Sequence, residues 1–221
     1  MNNHKWLKEL LKINGKDVKL SEKQMKILEA AIEMFAEKGY SATSTSEIAK
    51  RAGVAEGTIF RHYKTKKDLL LAIVTPTLIK SVAPFLAKEF VKEVFENEYH
   101  HFEDFVRALL KNRYEFVKKY LPVIRIFLQE MAFHAEIKER FKRIFMTHVY
   151  EKFKRIIEHF QRKGEIISIP PESVIRMTIT TIAGFIITQL IVLPHHKGND
   201  EQEEAEIERT IQFLMHGLAK K

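Results

Sequence analysis

The sequence predicts an all-α protein. Apolar residues recur at spacings of three and four along nearly the whole chain. No pair of alternating segments joined by a hairpin turn occurs. Ser or Thr, followed three residues later by Gln, Glu or Asp, stands just ahead of several apolar stripes, which is how a capped helix begins. With 221 residues and 45% apolar content, the chain can bury one ordinary core or two small ones. It has no cysteine, which excludes disulfides, thiolate metal sites and a cysteine nucleophile.

Residues 1–20 form an extension. Trp6, Leu10 and Ile13 share one helical stripe with lysines opposite, which suits an extra docked helix or a basic arm on DNA or membrane. Its longest apolar run is two residues, too short for a secretory leader. The first strong helix starts at Ser21, with Gln24 in the reciprocal capping position. Met25, Leu28, Ile32 and Phe35 form its apolar face, and Gly39 is its stop. Ser44 and Glu47 start a second helix, with Ile48, Ala49 and Ala52 on one side and Gly53 at its end. A third runs from Ala55 to His62. Thr65 with Asp68 starts a fourth.

Longer helices follow. One is expected over 77–96, bent near Pro84. Another covers 101–120, and Pro122 suits the first turn of a helix reaching His134. Residues 136–163 read as one helix of roughly 40 Å at 1.5 Å per residue. "IPPE" at 169–172 is a break, 172–193 reads as a helix buried on all sides, and "PHHKGND" is a loop. The last helix, 200–219, has acids in its first turns and lysines after its end, as the helix dipole favours. This layout predicts a basic three-helix domain over 21–66 and a larger helical domain over 67–221.

Three short capped helices joined by tight turns make a helix-turn-helix. Gly53 is expected to take a positive φ and Val54 to enter the core, while Ala49 and Ala52 let the helices approach closely. The third helix is too short to stand alone. Its outer side offers Gly57, Thr58, Arg61 and His62. Arg61 can fork onto a guanine edge or a phosphate. Lys64, Lys66 and Lys67 follow, suited to phosphates. The formal charge is +8, and residues 1–70 hold 14 Lys/Arg against 9 Asp/Glu, so the excess favours an anionic partner there.

The stretch "TSEIAKRAGVAEGTIFRHYKTKKDLL", residues 45–70, resembles the DNA-binding region of the tetracycline-repressor (TetR) family, and the resemblance extends upstream through "ILEAAIEMFAEKGYSATS". It implies a sequence-specific DNA-binding regulator, with a C-terminal helical domain that dimerises and binds a small ligand. Carried onto this sequence, it implies that Thr45 contacts a phosphate. It further implies that Ala55, Glu56, Gly57, Thr58, Phe60 and Arg61 line the recognition helix, and that His62 and Lys66 hold the DNA backbone. Two positions depart from the family pattern. Ala55 stands where a serine cap is common, so that helix start loses a hydroxyl acceptor. Glu56 stands where a basic residue is frequent; a carboxylate repels phosphate but can accept from a cytosine amino group.

Beyond the motif, the sequence is rich in large rings. Phe102, Phe105, Phe127, Phe133 and Phe141, with Arg113 as a cation among them, are the expected walls of a pocket for a mostly apolar ligand. Ile187 and Ile191 on one helix, and Ile211, Leu214 and Leu218 on the last, are the expected four-helix dimer interface. Ten histidines invite a metal, and Glu130 with His134, four apart, could share one on a helix face, but no third ligand is evident and no metal or other cofactor is expected. No nucleophile elbow or phosphate-cradling glycine loop appears, so no enzyme is expected. The resulting expectation is a cytoplasmic homodimeric repressor, released from a palindromic operator in double-stranded DNA by a small apolar ligand. The alternative is a membrane-surface or lipid-binding helical protein using Trp6–Ile13 and residues 177–193. That segment has 17 uncharged residues, at the short limit for a span, and includes four threonines and a glutamine.

Overall fold

A computed structural model describes residues 20–82, 94–95, 97–193 and 200–219. The expectations for residues 1–19, for Pro84, Phe85 and Phe90, and for the 194–199 loop lie outside the described residues. Among those described there are ten α-helices: α1 (Glu22–Lys38), α2 (Thr45–Ala52), α3 (Glu56–His62), α4 (Lys66–Val82), α5 (Phe102–Lys119), α6 (Leu121–Met131), α7 (Ala135–Phe145), α8 (Glu151–Arg162), α9 (Pro171–Ile187) and α10 (Asp200–Leu218). No strand forms among these residues, only a single bridge between Ile166 and Ala219. The protein is all-α.

Packing divides the chain into two compact units. One comprises Met1–Ala87 with Tyr120–Phe145, and the other Lys88–Lys119 with Met146–Lys221. These units cut across the expected boundary at residue 66, because α6 and α7 pack on α1 and α4. The helix expected over 136–163 passes from one unit to the other. A π-helical segment, Met146–Tyr150, interrupts it there. α4 also differs from expectation, continuing through Pro76 to Val82 without a new start at 77.

In the first unit, α1 buries Met25, Leu28, Ile32 and Phe35, the stripe read from the sequence. The Ser21–Gln24 box closes as expected. The Gln24 N–H donates to Ser21 Oγ at 3.2 Å and the Ser21 N–H to Gln24 Oε1 at 3.0 Å. In the second unit, Phe102 and Phe105 of α5 meet Phe160 and Phe153 of α8 edge to face, with centroids 5.6 and 5.3 Å apart, and all four rings are buried. α5 is fastened to α10 by Arg107–Glu208, Lys111–Glu204 and Lys118–Glu203.

Candidate nucleic-acid interface

The start of α2 is locally determined. Glu47 N–H donates to Ser44 Oγ at 3.2 Å, and Ser44 N–H donates to Glu47 Oε2 at 2.9 Å. That backbone donor, together with Lys38 at 2.9 Å, holds the Glu47 carboxyl down to about 2. α2 ends at Gly53, where φ is +66° and ψ 35°, a left-handed cap that favours glycine. Ile48, Ala49 and Ala52 are buried as expected. Val54, expected in the core, is only half-buried; its N–H donates to the Ala49 carbonyl at 3.0 Å. Arg51 ties the end of α2 back to α1 through Glu33 at 2.8 Å and Glu37 at 3.2 Å.

α3 follows with Ala55 as an N-cap that makes no side-chain hydrogen bond, as its methyl group requires. Ile59 is the residue that anchors it, fully buried. Tyr63 is half-buried, and burial pushes its phenol up to about 12. The outward side carries Gly57, Phe60, Arg61 and His62, all exposed, with Thr58 half-buried beside them. Phe60 is 46% exposed, so a large part of its surface is outside the core. Lys64 and Lys67 are exposed beyond the helix end. α4 starts with a third capping box, Thr65 N–H to Asp68 Oδ2 at 2.9 Å and Asp68 N–H to Thr65 Oγ1 at 3.0 Å.

Two residues expected on phosphates are engaged within the protein. The Thr45 hydroxyl donates to Glu56 Oε1 at 2.6 Å. The Lys66 ammonium donates to the carbonyls of Tyr40 and Thr43, each at 2.9 Å, and reaches that of Ser41 at 3.5 Å. It also lies over the Tyr40 ring, 4.3 Å from the centroid. The sequence reading missed Tyr40 and Thr43. Thr43 is buried and donates to the Gly39 carbonyl at 2.8 Å, closing the loop ahead of α2. The only local signal was a small hydroxyl residue between a glycine stop and a cap.

Tyr40 continues a column inward. Its ring meets His134 edge-on at 5.4 Å, and His134 Nε2 lies 3.2 Å from the buried Glu130 carboxylate. Burial, then the Glu130 charge, raises the Tyr40 phenol above its ordinary value. Glu130 and His134 thus meet each other, and among the described residues no group of three metal-ligating side chains forms.

The six residues expected around a ligand divide between the units. Phe102, Phe105 and Arg113 fall in the second unit and Phe127, Phe133 and Phe141 in the first. Phe102 and Phe105 fill the aromatic core with their own neighbours. Phe127 and Phe141 pair at 5.7 Å. Phe133 is a correction: it sits in the turn after α6, is 83% exposed and lines no interior. Arg113 is half-buried as a residue but its guanidinium is enclosed, lying 5.0 Å from the Phe116 ring and donating to Asn112 Oδ1 at 3.2 Å. Burial brings it down to about 9, so it remains a cation at neutral pH.

The expected dimer stripe also needs correction. Ile211, Leu214 and Leu218 are buried inside their own unit, because that side of α10 packs on α5 and α9. Ile187 and Ile191 are half-buried. Among the described residues of this unit, the large apolar side chains left outward are Phe213 on α10, 73% exposed, Met177 on α9, Val192 and Leu193 beyond it, and Met146 ahead of α8. Pro171–Val192 is long and apolar enough to cross a membrane by length and composition, and 28% of its apolar window is buried.

A short helix set after a capped helix and a left-handed glycine turn and anchored by one buried isoleucine, presenting arginine, histidine and glycine beside exposed lysines, defines a helix-turn-helix DNA-binding protein. The comparisons with known proteins agree. Residues 27–73 match the bacterial regulatory proteins of the tetR family. The Bacillus subtilis HTH-type transcriptional regulator YhgD is 31% identical over 150 residues, covering 66% of this chain and 73% of that protein. The chain belongs to the TetR family of transcriptional regulators. The fatty acid metabolism regulator protein of B. subtilis is 49% identical over 51 residues, 23% of this chain. That alignment spans about a quarter (26%) of the regulator's own length. Among solved structures, the fatty acid degradation regulator FadR of Bacillus halodurans superposes with a TM-score of 0.68 at 19% identity, covering 92% of this chain and 100% of that one. FadR of B. subtilis, in complex with stearoyl-CoA, gives 0.65 at 22% identity over 87% and 98% of the two chains.

Proposed function

We propose that the protein is a homodimeric repressor. It binds a roughly palindromic operator with α3 in the major groove and is released by a mostly apolar small molecule. The observation that carries the DNA reading is the outward side of α3, where Arg61 and His62 stand exposed beside Gly57 and Phe60. Arg61 is suited to fork onto a guanine edge, and Gly57 lets the backbone come close. Thr58 and Phe60 suit sugar and thymine-methyl contacts, and His62 the backbone, while Ala55 permits close approach. Lys64 supplies an exposed cation for phosphates, whereas Lys67 is paired with Glu136 at 3.0 Å and Lys66 supports the fold of the loop before α2.

The dimer is supported by the composition of α9. From Met177 through its end and the π-helical segment Thr188–Val192 that continues it, there is no charge, yet Met177, Thr180, Gly184, Thr188 and Val192 are exposed. An uncharged outward seam on a soluble helix favours a partner, and Phe213 on the neighbouring α10 extends it. Ile187 and Ile191 would flank that seam. A two-fold pairing accounts for the apolar composition of this helix without a membrane, and it puts two copies of α3 on two half-sites about one DNA turn apart. A regulator of this kind works in the cytoplasm.

For the effector, relatives named as fatty-acid regulators favour a molecule with a long apolar chain. Arg113 is a cation suited to its polar end. The test is selection of genomic fragments by the purified protein, then titration of recovered fragments with and without long-chain acyl compounds. Recovery of a common two-fold sequence, released by one of these compounds, is the expected result. Recovery of random fragments would refute the operator. Vesicle co-sedimentation in place of duplex binding would favour the lipid-surface alternative.

A further inference from the structure

We infer that Glu56 is a specificity-determining residue that selects cytosine at one position of each operator half-site, and that Thr45 is its positioning residue. The inference rests on the proposed placement of α3 in the major groove and adds to it the base that is read.

Glu56 is the first residue of α3, and N-terminal residues of a recognition helix are those that meet base edges. Its carboxylate is not adrift. Oε1 accepts from the Thr45 hydroxyl at 2.6 Å. Thr45 is itself fixed, because it is the first residue of α2, immediately after the Ser44 cap that Glu47 locks, and its β-branched side chain has few rotamers. Both Thr45 and Glu56 are half-buried where α2 meets α3.

This bond decides between two roles for each partner. A threonine hydroxyl has one proton. Here a carboxylate, which can only accept, takes it. The Thr45 side chain therefore has no donor left for a phosphate oxygen. Glu56, held at Oε1, keeps Oε2 and its lone pairs. An ionised carboxylate in the groove repels phosphate and every base edge made only of acceptors: guanine offers N7 and O6, and thymine offers O4. Two bases offer an amino donor there. Adenine sets an N7 acceptor beside its amino group, which opposes the second carboxylate oxygen. Cytosine offers N4 without a neighbouring acceptor, so it is the better match. The rule that favours a basic residue at this position does not apply: Glu56 acts as a base reader here, with its geometry supplied by Thr45.

The test is parallel selection from randomised duplex pools with wild-type protein, E56Q, T45V and T45S, followed by binding isotherms on the winning duplex and on single-base variants. Wild type should select cytosine at one position per half-site and bind the other three bases roughly tenfold or more weakly. E56Q should move that position to adenine, since an amide both donates and accepts, and leave the other positions alone. T45V should flatten the preference at the same position, and T45S should restore it. Two results overturn the assignment while leaving operator binding intact: E56Q selecting the wild-type base at every position, or T45V weakening all duplexes equally with the cytosine preference unchanged. Failure of the wild-type protein to select any common sequence would overturn the operator itself, and the assignment with it.

Discussion

The Lys66 ammonium lies 4.3 Å from the centre of the Tyr40 ring and donates 2.9 Å bonds to the carbonyls of Tyr40 and Thr43. A lysine at the start of α4 thereby holds the loop from which α2 begins, and α2 leads through the Gly53 turn into α3, the helix proposed to read DNA. The role is structural before it is electrostatic. An ammonium has three protons, and three loop carbonyls lie within its reach.

Lys66→Met should therefore lower the stability of the protein by about 1–3 kcal/mol, since it leaves half-buried carbonyls without a charged donor. Its operator affinity should fall with an unchanged salt slope. A phosphate-contacting lysine would behave otherwise, with stability kept and the slope reduced by about one. Urea titration and salt-dependent anisotropy on one preparation separate the two.

Leu214 and Phe213 are neighbours on α10 with opposite fates, one buried and one 73% exposed. Leu214→Glu puts a charge into the core and should unfold the unit, costing upwards of about 3 kcal/mol. Phe213→Glu should leave the fold intact and give a monomer. Sedimentation velocity at micromolar concentration checks both. A wild-type monomer, or a Phe213→Glu dimer as tight as wild type, would refute the interface.

Glu47 gives the α2 start a defined pH dependence. Its carboxyl is held at about 2, below the ordinary 4.5, by the Ser44 N–H and by Lys38. A depressed carboxyl stabilises the fold fully above pH 4.5, and that contribution is lost as pH falls toward 2. Glu47→Gln keeps an acceptor for the cap but does not titrate. The difference in urea midpoint between the two proteins should be constant above pH 4.5 and shrink between 4.5 and 2. A constant difference down to pH 2 would contradict the role of the charge.

Thr178, on α9, is buried and its hydroxyl has no hydrogen-bond partner among the described residues. Thr178→Val keeps the shape and removes the unsatisfied group. It should raise stability by about 1 kcal/mol, a rise of roughly 2–4 °C in Tm for a chain of this size. A lower Tm would mean that the hydroxyl is satisfied in solution.

The legible parts of this protein were the local ones. Ser44–Glu47 and Thr65–Asp68 close their boxes over three residues, and Gly53 turns at a position fixed by its own backbone, so sequence alone reveals them. The family resemblance of residues 45–70 rests on the same short-range pattern. Contacts between distant segments left no such trace. Lys66 looked like a phosphate ligand because its partners are carbonyls, which have no sequence identity. Thr45 and Glu56 stand eleven residues apart in different helices, so their bond is visible only after the turn at Gly53 is built. The α10 stripe of Ile211, Leu214 and Leu218 announced an apolar face without saying whether a partner or the same chain covers it. The rings expected in one pocket diverged because Phe102 and Phe105 pack locally against α8, while Phe133 falls in a turn.

The central claim is that α3 reads DNA sequence. The most direct measurement is the affinity of the wild-type protein and of Arg61→Ala for a selected operator and for a scrambled duplex of equal length, at one fixed salt concentration. The account predicts that wild type prefers the operator by about 10³-fold or more. It also predicts that Arg61→Ala loses about 1–3 kcal/mol on the operator while keeping most of its affinity for the scrambled duplex. Equal binding of both duplexes by wild type, or an Arg61→Ala protein that still discriminates as wild type does, would contradict it.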